Sequence, residues 1–245
     1  MSAGILAALL IVAAASAVSG LTGFGLAVVG VPMLLTVYDP ATVVVLIASI
    51  SLFINAVIVQ DSWREVELRA VLMLLPWAAL GVFLGTEVLT RVNPEYIRLS
   101  VGVIVVLSAV LLLREVSLPG AEGFWGTILA GATSGALSTS TGIGGPPIVR
   151  LFAARKLPKV RFRVSNAAYF SFLSIVALAT LLARGIAQPS HFWIAAALIP
   201  ASFIGKMLGT SLVKRLSNDA FRRITLGVVM LTGALGIMTA TLALL

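Results

Sequence analysis

From Gly4 to Val37 the chain runs for 34 residues without a charged side chain, and no other feature constrains the fold as strongly. A straight helix of that length would measure ~51 Å, well beyond the ~30 Å of hydrocarbon in a bilayer. The segment must therefore break, tilt steeply or fold back. Glycines and a proline mark the places: Gly20-Leu-Thr22-Gly23-Phe-Gly25, then Gly30-Val-Pro32. Further apolar runs follow near residues 41–59, 70–90, 97–113, 124–149, 164–183, 191–213 and 224–245. Each reads as a membrane helix, which makes about eight apolar segments in an all-α, polytopic integral membrane protein.

Composition agrees, since 60% of residues are hydrophobic and 11% charged, far outside the range of soluble domains. Almost nothing remains for a soluble domain. The net charge of +8 comes from 17 Lys and Arg set in short clusters between the apolar runs. Such clusters orient a membrane protein rather than bind nucleic acid. With no cysteine, disulfides, thiolate chemistry and Cys-ligated metals are excluded. The start imitates a secretory signal, with Ile5 to Ala15 apolar and Ala15, Ala17 and Ser19 small. No basic residue precedes it and the apolar character continues to Val37, so it is read as part of the mature protein.

Positive charge stays on the cytoplasmic side of a membrane. That rule places the basic loops 150–163 (Arg150, Arg155, Lys156, Lys159, Arg161, Arg163) and 214–223 (Lys214, Arg215, Arg222, Arg223) in the cytoplasm of a bacterial-type inner membrane. The region near Arg184 and His191 is then external, as is the C-terminus.

An internal repeat divides the chain at residues 1–118 and 119–245. Pro76, Gly81, Gly85, Thr86 and Arg91 return 124 positions later as Pro200, Gly205, Gly209, Thr210 and Arg215. Ser19, Gly20, Gly30 and Pro32 return 115 positions later as Ser134, Gly135, Gly145 and Pro147. Ordered matches of this kind mark duplicated transporter halves. If each half opens with a broken helix that crosses once, the halves are parallel (4+4). If it opens with a re-entrant hairpin, they are inverted. The breaks look like hairpin tips, which favours inversion.

Main-chain groups freed by a break at membrane depth survive only inside protein or beside water. Free N–H groups at a helix start carry partial positive charge and can hold an anion. The expected substrate-binding set is therefore Thr22, Gly23, Gly25, Ser138, Thr139, Ser140, Thr141, Gly142, Gly144 and Gly145. Gly30, Pro32, Pro146 and Pro147 are read as gating breaks. Asn55 and Asn166, costly inside a membrane unless partnered, join the set, as does Lys206, the basic residue well within an apolar run. The competing reading gives the glycines a packing role and lets Ser and Thr bond their own backbone. Enzyme chemistry finds no support, because His191 is the lone histidine and no metal-ligand cluster or catalytic triad can be assembled; no cofactor or metal is expected.

At these motifs the sequence resembles the sulfite exporter TauE/SafE family of sulfonate permeases. The resemblance rests on Ser19-Gly-Leu-Thr-Gly-Phe-Gly25 with Gly30-Val-Pro32, on Gly135 with Gly142-Ile-Gly-Gly-Pro-Pro147, and on the Leu-Gly-Thr elements at 84–86 and 208–210. It implies a secondary transporter for sulfite or an organosulfonate such as sulfoacetate. A passive anion channel or a non-transporting scaffold or assembly factor are the alternatives. Expected partners are the small anion, the lipid bilayer, a coupling proton or ion, and a second copy in a homodimer.

Overall fold

The computed structural model describes residues 2–22, 25–113, 123–155, 157–213 and 227. Among these the chain is helical, without strands: α1 (Ser2–Thr22), α2 (Gly25–Leu34), α3 (Pro40–Ser62), α4 (Leu68–Arg91), α5 (Pro94–Leu113), α6 (Phe124–Thr141), α7 (Gly145–Ala154), α8 (Lys159–Ala183) and α9 (Pro189–Val213). α3, α4, α8 and α9 contain stretches long and apolar enough to cross a membrane. Leu10, Leu72, Leu107, Leu129 and Ile204 stand exposed on five different helices. A surface so apolar is stable only against lipid.

The opening runs at 4–37 and 124–149 are each two helices, as a broken helix or hairpin at the head of each half requires, and the run at 224–245 lies outside the described residues. α2 turns back along α1. A Cβ on Gly30 would lie 3.3 Å from that of Ala15, and one on Gly4 would lie 3.6 Å from Val37, beyond the end of α2. α7 likewise turns back along α6: Ser134 donates to the Gly144 carbonyl at 2.6 Å, and Arg155, just past α7, donates to Thr127 at 2.9 Å near the start of α6. The break in the first segment falls between Thr22 and Gly25. Gly30 and Pro32, expected to be the break, are instead buried within α2.

Small residues let the helices approach closely. α4 packs on α6, where a Cβ added to Gly81 or Gly85 would strike the carbonyls of Ala132 and Ala136. α1 packs on α9, where Gly205 and Gly209 meet the carbonyls of Ala13 and Ala17 in the same way. Ala13 and Ala17 precede Ala132 and Ala136 by 119 positions, and Thr22 and Thr141, which close α1 and α6, share that spacing. That spacing is four more than the 115 of the sequence matches, and it sets Thr22-Gly23-Phe-Gly25 beside Thr141-Gly142-Ile-Gly144 in sequence. α3 lies along α8 between the two seams.

Polar contacts gather at the two ends of the bundle. At one end Arg161 pairs with Glu65 at 3.3 Å and Glu67 at 3.8 Å, with Trp63 exposed beside them in sequence and Trp125 exposed at the start of α6, two residues before the Thr127 that bonds Arg155. At the other, Glu87 pairs with Arg91 at 2.8 Å and with Arg184, with Tyr96 and Trp193 exposed. Exposed aromatics near both ends are what a membrane protein places at its two interfaces. The basic stretch 150–163 is not one loop: Arg150 lies in α7, Arg161 and Arg163 lie in α8, and the connection between the helices is 155–158. The stretch 214–223 lies outside the described residues.

Candidate functional site at the second helix break

α6 ends because Gly142 adopts a left-handed conformation (φ +80°) and sends its N–H to the Ser138 carbonyl at 3.1 Å, a turn that favours glycine. The Ile143 N–H is taken up by the Thr141 hydroxyl at 3.3 Å. α7 then opens on Gly145-Pro146-Pro147. A helix start normally leaves about four N–H groups unpaired; the two prolines remove two of them while fixing the first turn. This end therefore holds an anion less strongly by backbone alone than a proline-free end would.

The hydroxyls behave differently from the expectation. Ser140 donates to Ala136 and Thr141 to Leu137, both at 2.7 Å. Thr139 donates to Val82 of α4 at 3.0 Å and to Gly135 at 3.2 Å. Their protons are spent on main-chain carbonyls, so in this conformation these three oxygens can accept but not donate. Ser138 is half-buried.

Space around the break is uneven. A Cβ on Gly142 would come within 3.0 Å of Val31 and 4.0 Å of Val44, so the turn abuts α2 and α3. A Cβ on Gly144 would sit 2.7 Å from the Ser134 carbonyl and 2.9 Å from Ser138, leaving no room. Gly145 faces open space. Ser138, Thr139, Ser140, Thr141, Gly142, Gly144, Gly145, Pro146 and Pro147 thus stand together, in contact with the first half of the chain.

The other expected residues stand elsewhere. Thr22 closes α1 and Gly25 opens α2, while Gly23 lies outside the described residues. Asn55 is half-buried on α3, and Asn166 is buried on α8; no hydrogen bond joins them. Lys206, half-buried on α9, lies close enough to Arg163 for their charges to repel. Among the described residues no group of three His, Cys, Asp or Glu side chains could hold a metal ion.

Two residues escaped the sequence reading. Tyr169 on α8 is fully buried and turns its hydroxyl towards Ser134, yet makes no hydrogen bond. Ser134 itself is fully buried and closes the break by its bond to Gly144. A tyrosine inside an apolar run was the available signal, since a buried phenol normally finds a partner.

The family model for the sulfite exporter TauE/SafE matches residues 8–235. The chain belongs to that family. It is 27% identical over 222 residues to a probable sulfite/organosulfonate exporter TauE of Cupriavidus necator, covering 87% of this chain and 86% of the relative. No solved structure matches. Family membership makes the chain a membrane transporter, and its all-helical, lipid-facing build fits that role.

Proposed function

We propose that this protein moves sulfite or an organosulfonate such as sulfoacetate across the bacterial inner membrane by alternating access. The observation that carries the reading is the pair of helices folded back on themselves. Each puts a chain reversal inside the bundle, where irregular backbone is tolerated only against protein or a watery path. The family and the Cupriavidus necator relative supply the substrate class.

We further infer two inverted repeats, 1–118 and 119–245. A folded-back pair followed by α3, α4 and α5 gives the first half five passes, an odd number that inverts the half after it. The packing supports this, because exchanging the halves turns the α4–α6 seam into the α9–α1 seam and returns the α3–α8 contact to itself. The end holding Arg64, Arg69, Arg155 and Arg161 faces the cytoplasm in this reading, because charge there exceeds that beside Arg91, Arg98 and Arg184. A proton or another ion supplies the gradient, and the chain works as a homodimer or alone in the bilayer.

Purified protein in liposomes should take up sulfite saturably under an imposed ion gradient, with accelerated counterflow when the lumen is preloaded. Uptake no faster than in empty vesicles under every gradient refutes transport. Linear, non-saturable flux without counterflow replaces the carrier with a channel.

A further inference from the structure

Burying a polar atom without a partner costs enough that such atoms are rare in native proteins. Two stand on one face of α8, three positions apart and hence neighbours on the helix. The Asn166 carboxamide oxygen is unpartnered in a residue 6% exposed, and the Tyr169 hydroxyl is unpartnered in a residue 0% exposed. Tyr169 packs in the apolar cluster that joins α4, α7 and α8. Its hydroxyl faces Ser134, whose proton is already committed to Gly144, the residue that leads into α7. The next residue, Gly145, opens onto empty space.

The chemistry of these groups is complementary and specific. The phenol has a proton to give, and the Asn166 oxygen needs one to receive. The amides of Gly144 and Gly145 precede the two prolines and add weak positive character where α7 begins. A ligand satisfying all of them is anionic enough for the amides and phenol, yet brings an O–H of its own. We infer that Tyr169, whose hydroxyl faces Ser134, and Asn166, about one turn earlier on the same face of α8, form with the start of α7 a subsite for a small oxyanion carrying one proton, hydrogensulfite rather than sulfite. This rests on the transport reading above and adds the protonation state of the cargo.

The pH response expected from such a site belongs to the ligand. Of the helices around Tyr169, α6 has no charged side chain and α7 has only Arg150; α4 carries Arg69, Glu87 and Arg91 within two turns of its ends. α3, packed on α8, carries Asp61, and α8 itself carries Lys159, Arg161 and Arg163 in its first two turns.

The test compares sulfite with methanesulfonate, which has no acidic proton left to donate near neutral pH. Ligand-induced thermal shifts of the full chain in detergent give half-saturating concentrations. For the unaltered protein, sulfite binding should weaken as pH rises and hydrogensulfite disappears, while methanesulfonate binding stays level. N166L should weaken sulfite binding by about tenfold or more and methanesulfonate by less than about twofold, the loss expected for one hydrogen bond to a charged ligand. Y169F should weaken both. A level pH profile for sulfite overturns the inference, as does an N166L variant that loses both ligands alike or neither; transport itself would stand. Absence of binding by either anion at any pH removes the transport reading and this one with it. The pH profile needs no variant, so poor folding of N166L leaves the test intact.

Discussion

The first folded-back pair packs through apolar side chains: Val12 and Ala15 of α1 and Leu26, Val31 and Leu34 of α2 are buried in one cluster. In the second pair, Ile148, Leu151 and Phe152 of α7 are buried too, but α6 adds Ser134, Thr139, Ser140 and Thr141, all buried. The path is the same while the chemistry differs. A reversal therefore needs only a glycine break and close packing, and the hydroxyls serve something more. Three of them satisfy carbonyls along α6 or on α4, and Ser134 ties the break shut. At position 15, 119 residues before Ser134, the first pair has an alanine. Buried hydroxyls are thus concentrated in the second pair, the first contributing Ser16 of α1, buried and without a hydrogen bond.

Disturbing what the two pairs share should cost most. G81A places a methyl on the Ala132 carbonyl and G205A places one on that of Ala13. Each should destabilise by about 3 kcal/mol or more, because backbone cannot move aside as a flexible side chain can. Reversible unfolding in mixed micelles measures both. A tolerated G205A beside a damaging G81A would show that the two seams are not equivalent.

Within the second break the contrast sharpens between adjacent glycines. G144A should cost about 2 kcal/mol, since it must displace the Ser134 carbonyl and Ser138. G145A should stay within about 0.5 kcal/mol, as substitutions into open space do. A larger G145W should leave the melting temperature near that of the parent and yet abolish flux in liposomes. Unimpaired flux in G145W would mean that the space there lies off the substrate path.

S134A isolates the feature the first pair lacks. Losing the bond to Gly144 should cost about 1–2 kcal/mol, whereas A15S introduces a hydroxyl in the first pair and should give no comparable gain. Thermal unfolding of the two single variants decides it.

The smallest effect concerns the start of α3, outside the breaks. Asp39 caps that helix through the Thr42 amide at 3.0 Å and the Thr42 hydroxyl at 2.6 Å. Burial pushes the Asp39 carboxyl up, but those hydrogen bonds outweigh it and hold the group below the usual carboxylate range. A lowered value means that the cap stabilises above that range and fades as pH falls through it. D39A should cost about 1 kcal/mol near neutral pH and progressively less in acid. A pH-independent difference between parent and variant would rule the cap out as the cause.

Much of this was legible in the sequence. Hydropathy located α3, α4, α5, α8 and α9 to within about five residues, because the bilayer enforces length and composition. A 34-residue uncharged run could not be straight, so a reversal was foreseeable. Gly20 to Gly25 marked its position, whereas Gly30 and Pro32, read beside it as a second break on their likeness to Gly145 and Pro147, lie within α2, which passes through both residues intact. The hydroxyls of Thr139, Ser140 and Thr141 were visible as polar groups, but sequence does not say whether such a group faces a ligand or its own backbone. Tyr169 of α8 meets Ser134 of α6 only through tertiary packing.

The protein contains no cysteine, so single cysteines report sidedness directly. Thr36 follows the first folded-back pair and Pro158 follows the second, and both are exposed. A membrane-impermeant maleimide added to intact cells should label T36C at once and P158C only after the membrane is opened. Labelling of both from the same side would contradict two pairs entering from opposite faces, and the inverted transporter built on them would fall.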